Sequence, residues 1–338
     1  MRKPAIKMER NPFLDFLRFF SAELVLAGHL SVALGIPLIF LAQLGVYFFF
    51  LLSGFLICKT VFEMNEKSLG FKAYFLSRFC RIYSGFVPAL AFIFLVSNQG
   101  YLSLDVLFAN LLMLQGLPLN LALFGGLGFN LPREIPVFLG VTPLWTLSVE
   151  WWLYLFFGWI FLKKGRGPLF FGGAALFFIV PFLFLSFSFS AVVLAWFGGA
   201  VAFWLYKKID LKRFLWWFIA FSIVKILLDL MLKLDLYSDP ALVFFLAGVF
   251  FSSVQAFERV QFGKWGGLAV SEGAGFSYIL YLIHYPLIPV LLLGIAAWQP
   301  VQALAVFASI NAIAWCLALF TERQNKRLLK FLRGFAGA

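Results

Sequence analysis

Charge is scarce in this chain. Asp, Glu, Lys and Arg make up 12% of its 338 residues, and there are only two histidines. Soluble domains carry about 25% charged residues, so a soluble globular fold is excluded. Cysteine is scarce as well. Cys58, Cys80 and Cys316 have no metal-type spacing and no nearby second thiol, which implies neither a disulfide frame nor a metal site. No internal repeat is visible, and that weakens a carrier built from inverted halves. Nor does a cleavable leader pattern open the chain, because residues 1–10 are charged and the following stretch is too long for a leader core.

What the chain has instead is apolar surface: 63% hydrophobic and 20% aromatic residues. We expect an all-α polytopic membrane protein, since helices satisfy their own backbone in lipid. A hydropathy pass gives ten spans, at 12–34, 36–60, 83–99, 144–162, 168–187, 190–206, 214–232, 240–257, 274–294 and 299–321. With the N-terminus inside, the alternate inner segments hold all but Arg18, Arg133, Lys225 and Lys233 of the 27 Lys and Arg residues. This is the positive-inside pattern, and it predicts both termini in the cytoplasm. The net charge of +12 is then an orientation signal and no sign of a nucleic-acid partner. We expect one membrane domain over 1–338, with no appended extracytoplasmic domain.

Residues 100–143 break the alternation. They lie between an outgoing and a returning span, so they belong outside or dip in from outside. Leu104–Gln115 looks like a short helix, and Leu117–Val141 is rich in Gly, Pro and Asn. Non-helical backbone at membrane depth requires a cavity or a protein cover. This segment is expected to roof an outward-facing vestibule, as a re-entrant or interfacial element.

Chemistry concentrates in a few places. Arg18 and His29 stand eleven residues apart in the first span, which puts them on one helix face, roughly 16 Å apart along the axis. Ionisable groups at membrane depth are functional candidates by default; satisfaction by neighbouring helices is the competing explanation. Arg78 and Arg81, three apart at the inner mouth of the third span, suit bidentate phosphate contacts or serve as plain topology anchors. Glu150 follows a turn or two below the outer surface, among Trp145, Trp151 and Trp152, and either works in a site or reaches interfacial water. His284 is mid-span among tyrosines, with structural and functional roles equally open. Ser53 and Gly54 allow close helix approach. Lys225 and Asp229, at i,i+4, neutralise each other.

Taken in order, these segments resemble membrane acyltransferase family three, bacterial enzymes that O-acylate surface polysaccharides. The resemblance rests on Asp15, Leu17 and Arg18 followed by His29; the run Phe48 to Leu56 around Ser53; Arg78, Arg81, Ile82 and Tyr83; Leu144 to Trp151 around Glu150; and Ser277, Tyr278, Leu282, His284 and Pro286. It departs where the family's glycines are here Phe16 and Phe19 or Phe20, and where its frequent proline is Ser84. The resemblance implies a donor acyl-coenzyme A, acetyl-CoA by default, bound near Arg78, Arg81, Tyr83 and Ser53, with no tightly bound cofactor. It implies catalysis through His29, Arg18 and Glu150, with Asp15, Trp145, Tyr278 and His284 supporting the site or the acceptor. The implied acceptor is an extracytoplasmic glycan or lipid-linked sugar, and the implied location is the bacterial inner membrane.

Direct transfer with His29 as general base and an acyl-His29 intermediate both remain open at this level. The other compatible class is a polysaccharide or lipid flippase that uses Arg18, Glu23, His29 and Glu150 as a proton relay. The paired arginines combined with the Arg18–His29 stripe discriminate against it, because a carrier needs neither.

Overall fold

The computed structural model describes residues 11–97, 103–117, 135–185, 190–206, 208–293 and 300–335, and all regular structure among them is helical. In chain order the α-helices are α1 (Pro12–Ala33), α2 (Ile39–Glu66), α3 (Phe71–Val96), α4 (Leu104–Leu111), α5 (Trp145–Leu162), α6 (Pro168–Leu185), α7 (Ser190–Leu205), α8 (Leu215–Met231), α9 (Pro240–Ala256), α10 (Lys264–Leu292), α11 (Pro300–Phe320) and α12 (Asn325–Phe335). Seven of these, α1, α2, α3, α5, α8, α10 and α11, lie in segments long and apolar enough to cross a membrane. The apolar stretches Pro168–Ile179, Ala191–Leu205 and Pro240–Ala256, in α6, α7 and α9, are shorter.

Local signals set the helix starts. Pro12 and Pro240 occupy first turns, where a missing N–H costs nothing. Asn11 Oδ1 accepts from the Phe13 N–H at 2.9 Å, and Asp239 caps α9 through the Ala241 N–H at 2.8 Å. Three helices run further than hydropathy indicated. α3 begins at Phe71 rather than 83, α10 at Lys264 rather than 274, and α2 continues to Glu66. A hydropathy window detects the lipid-facing run, whereas the helix itself continues into a polar layer where Lys72, Arg78 and Glu63 are tolerated. Arg78 and Arg81 therefore sit two to three turns into the helix α3.

α1, α2 and α10 form the centre, with α7 packed on α2, α3 and α11 on α10, and α6 on α5. α1 and α10 run side by side in the same direction. The Phe19 ring packs against Gly273, and ten residues further along α1 His29 meets His284. The α2–α7 crossing is so close that an added Cβ at Gly54 would collide with the Trp196 carbonyl, and one at Gly199 with the Leu51 carbonyl. Glycine is required there because backbone meets backbone. On the periphery, α8 leaves Trp216, Trp217, Leu227 and Met231 exposed, a lipid-facing surface. Its Lys225 pairs with Asp229 at 2.5 Å, as expected, and also with Asp239 at the start of α9.

The segment after α3 is stitched down at its described ends. α4 stops at Leu111, earlier than the expected Gln115, because Met113 takes a left-handed φ of 56°. The Met113 carbonyl accepts from Ser148 Oγ at 2.6 Å and Trp152 Nε1 at 2.7 Å. Asn110 donates to the carbonyls of Val106 and Pro136 and accepts from the Phe138 N–H. The Ile135 N–H donates to the Leu117 carbonyl and the Ile135 carbonyl accepts from the Gly116 N–H, across residues 118–134, which lie outside the described residues. The central part of the expected vestibule roof falls there.

Candidate functional site

One cavity draws together residues from five helices. Arg18 of α1, Ser53 of α2, Arg78 and Arg81 of α3, Glu150 and Tyr154 of α5, and Tyr278 and Tyr281 of α10 line a space of about 140 Å3. The sequence separated these groups into an inner arginine pair and a carboxylate near the outer surface. The structure brings them to the lining of one cavity.

At the cationic end three guanidiniums converge. Arg18 is 3.8 Å from Asp15, one turn back on its own helix. Arg81 Nη2 is 2.9 Å from Glu322 Oε1, a carboxylate on the turn after α11 that is only 2% exposed. The charges of Arg81 and Glu322 also act on Arg18. Arg78 lies over the Tyr74 ring at 5.9 Å and bonds Ser77 at 3.3 Å. Like charges gather in an apolar bundle only with counter-charge nearby, and Asp15, Glu150 and Glu322 supply it. Each guanidinium still offers a planar fork of N–H donors suited to phosphate or carboxylate oxygens.

In the middle, Glu150 Oε1 accepts from the Tyr154 hydroxyl at 2.6 Å. That hydroxyl lies 2.9 Å from Ser53 Oγ, which accepts from Trp196 Nε1 at 3.2 Å. Glu150 is thus held by a chain of hydrogen bonds running through α5, α2 and α7. Tyr278 donates to the Ile82 carbonyl at 3.1 Å. At the far end, the Tyr281 and Thr146 hydroxyls are 2.6 Å apart and share the Pro143 carbonyl.

One helical turn past Tyr281 on α10 comes His284, fully buried, with its Nε2 3.0 Å from His29 Nδ1. Neither ring lines the cavity. Tyr281 does, and its ring centroid is 5.9 Å from that of His284. The Tyr285 ring stands edge-on to His29 at 5.4 Å.

Several sequence candidates occupy other places. Glu150 does not contact His29, whose described partners are His284, Tyr285 and the Val25 carbonyl. Tyr83 is absent from the cavity lining; it stacks on Phe79 and donates to the Leu111 carbonyl at 2.8 Å, tying α3 to the following segment. Trp145 packs edge-on to Tyr237 at 5.9 Å, also away from the cavity lining. Glu23 bonds Asn311 at 3.2 Å and so points toward α11. The relay that a proton-coupled carrier would need, from Glu23 through His29 to Glu150, is not joined by the described contacts.

Sequence reasoning missed Tyr154, Tyr281, Thr146 and Glu322. Tyr154 carried a readable signal, since it follows Glu150 at i,i+4 on one face. Glu322 carried none, because its partner is on a helix far earlier in the chain.

A bundle of membrane-crossing helices around a buried cavity of arginines and a carboxylate, with two touching histidines beside it, defines a multi-pass membrane protein. A family model described as an acyltransferase domain matches residues 11–320, nearly the whole chain, and the protein belongs to acyltransferase family 3. No curated protein and no solved structure matches it.

Proposed function

We propose that the protein is an integral-membrane O-acyltransferase that moves an acyl group, acetyl by preference, from cytoplasmic acyl-coenzyme A to a hydroxyl of an extracytoplasmic glycan such as O-antigen or exopolysaccharide. The topology that goes with this reading has ten spans, both termini in the cytoplasm and a bacterial inner-membrane location. The observation that carries it is the order of groups through the bundle: three arginines of α1 and α3 around a cavity, then, one turn past its far end, the His29–His284 contact of α1 and α10.

The donor's phosphates rest against Arg78 and Arg81, with Arg18 above them on the path of the pantetheine arm. The thioester is carried toward Tyr281 and Thr146. His29 takes the proton of the acceptor hydroxyl. The hydroxyl oxygen bonds to the thioester carbonyl carbon, the carbon–sulfur bond breaks, and the imidazolium returns the proton to the departing thiolate. Arg18 stands roughly 16 Å along α1 from His29 and so holds the donor rather than the reacting carbonyl. Glu150, held by Tyr154, positions the acceptor or the donor's arm in the cavity.

The test is reconstitution in proteoliposomes with acetyl-coenzyme A on one side and a glycan acceptor on the other. Acyl transfer to glycan is expected, and His29→Ala should lower it by about 10²-fold or more, the usual contribution of a general base. Glycan crossing the bilayer without thioester consumption would replace the enzyme reading with a carrier.

A further inference from the structure

The chain holds two histidines, from α1 and α10, and they touch. Their neighbours assign the ring hydrogens. His284 Nδ1 is 2.7 Å from the Tyr281 carbonyl and 3.2 Å from that of Leu280. Carbonyl oxygens only accept, so this nitrogen carries the hydrogen and His284 Nε2, in the neutral ring, is a bare lone pair. His29 Nδ1 is 3.1 Å from the Val25 carbonyl and 3.0 Å from that lone pair. Both of its neighbours are acceptors, so His29 Nδ1 must donate. By elimination His29 Nε2 is the unprotonated, basic atom.

We propose that His284 is a positioning residue that holds His29 in the Nδ1–H tautomer and presents Nε2 as the proton-accepting atom. This deepens the reading of His29 as the base and rests on it. When Nε2 takes the hydroxyl proton, the Nδ1–H of the imidazolium already points at the His284 lone pair and the Val25 carbonyl, so the new charge meets aligned acceptors. His284 keeps its own hydrogen on the Tyr281 carbonyl throughout, and no proton crosses between the rings. A third group that orients the base is a recurring device of proton-transfer sites, commonly a carboxylate. Here the orienting group is neutral. That suits a position inside the bilayer, where a second buried charge would be costly.

Only two imidazoles exist, so 15N-histidine labelling of the full-length protein in nanodiscs yields two ring systems, assigned with His284→Gln. The expected spectrum shows the His29 hydrogen on Nδ1 and a bare Nε2. A hydrogen on His29 Nε2 would overturn the proposal. In kinetics, His284→Phe, which fills the space without an acceptor, should lower kcat about 10-fold or more and leave the KM for acyl-coenzyme A within about twofold. His284→Gln offers an acceptor oxygen and a donor and should recover part of the loss. Wild-type kcat in the Phe variant would sink the proposal, as would equal losses in two variants that melt like the parent. If the tautomer is as expected yet His29→Ala remains fully active, the positioning stands and the general-base reading fails.

Discussion

Arg81 Nη2 lies 2.9 Å from Glu322 Oε1, joining α3 to the turn between α11 and α12 across more than two thirds of the chain. The carboxylate is 2% exposed and the guanidinium about a third exposed. The anion-binding face of Arg81 is thus shared between an internal carboxylate and whatever enters the cavity.

Glu322→Gln removes that internal anion while preserving shape. It should destabilise the protein by about 1–3 kcal/mol, the cost of leaving a buried polar group poorly paired, and should tighten binding of inorganic pyrophosphate. Thermal melting in detergent and calorimetric titration read the two effects. An unchanged melting temperature would show that the pair contributes nothing.

Arg78→Ala combined with Arg81→Ala should weaken acyl-coenzyme A binding, and the difference from wild type should shrink as salt rises. Lysine at both positions should restore only part of the affinity, since the planar fork is lost. Equal donor affinity across all three proteins would reassign the pair to anchoring.

Glu150→Gln keeps an oxygen to accept from Tyr154 and removes the charge. Turnover should fall roughly 10–1000-fold with little change in melting temperature or donor affinity. Tyr154→Phe, which breaks the link to Ser53 as well, should cost about 1 kcal/mol of stability in addition. Wild-type turnover in the Gln variant would remove Glu150 from the site.

Gly54→Val should abolish folded protein, because its side chain would enter the Trp196 carbonyl at the α2–α7 crossing. Small overpacking errors cost about 1–3 kcal/mol, and backbone cannot shift as a side chain can. Gly263→Val, where nothing lies near an added side chain, is the matching control and should express normally.

The helical segments were legible because long apolar runs and basic inner segments are strong signals. Their ends were not, since helix and hydropathy part company at Phe71 and Lys264. Arg18 and His29 could be placed on one face from the period of a helix alone. The partners of His29 and Arg81 could not be placed, because His284 and Glu322 reach them only through the packing of α10 and α11 around α1 and α3. Tyr83 and Trp145 stood in motif positions, and yet they bond or pack toward the folded segment and the Tyr237 side of the bundle. Adjacency in sequence to a functional group did not bring them to the cavity.

The shared direction of α1 and α10 has a genetic consequence. Arg18 and His29 ride one helix, and Gly273 and His284 ride the other at matching spacing. A single codon inserted between Arg18 and His29 would turn the imidazole by about 100° and lift it by about 1.5 Å. Four inserted codons would restore the facing but add about 6 Å of length. In this stretch the number of residues is fixed unless α10 changes equally and at the same time.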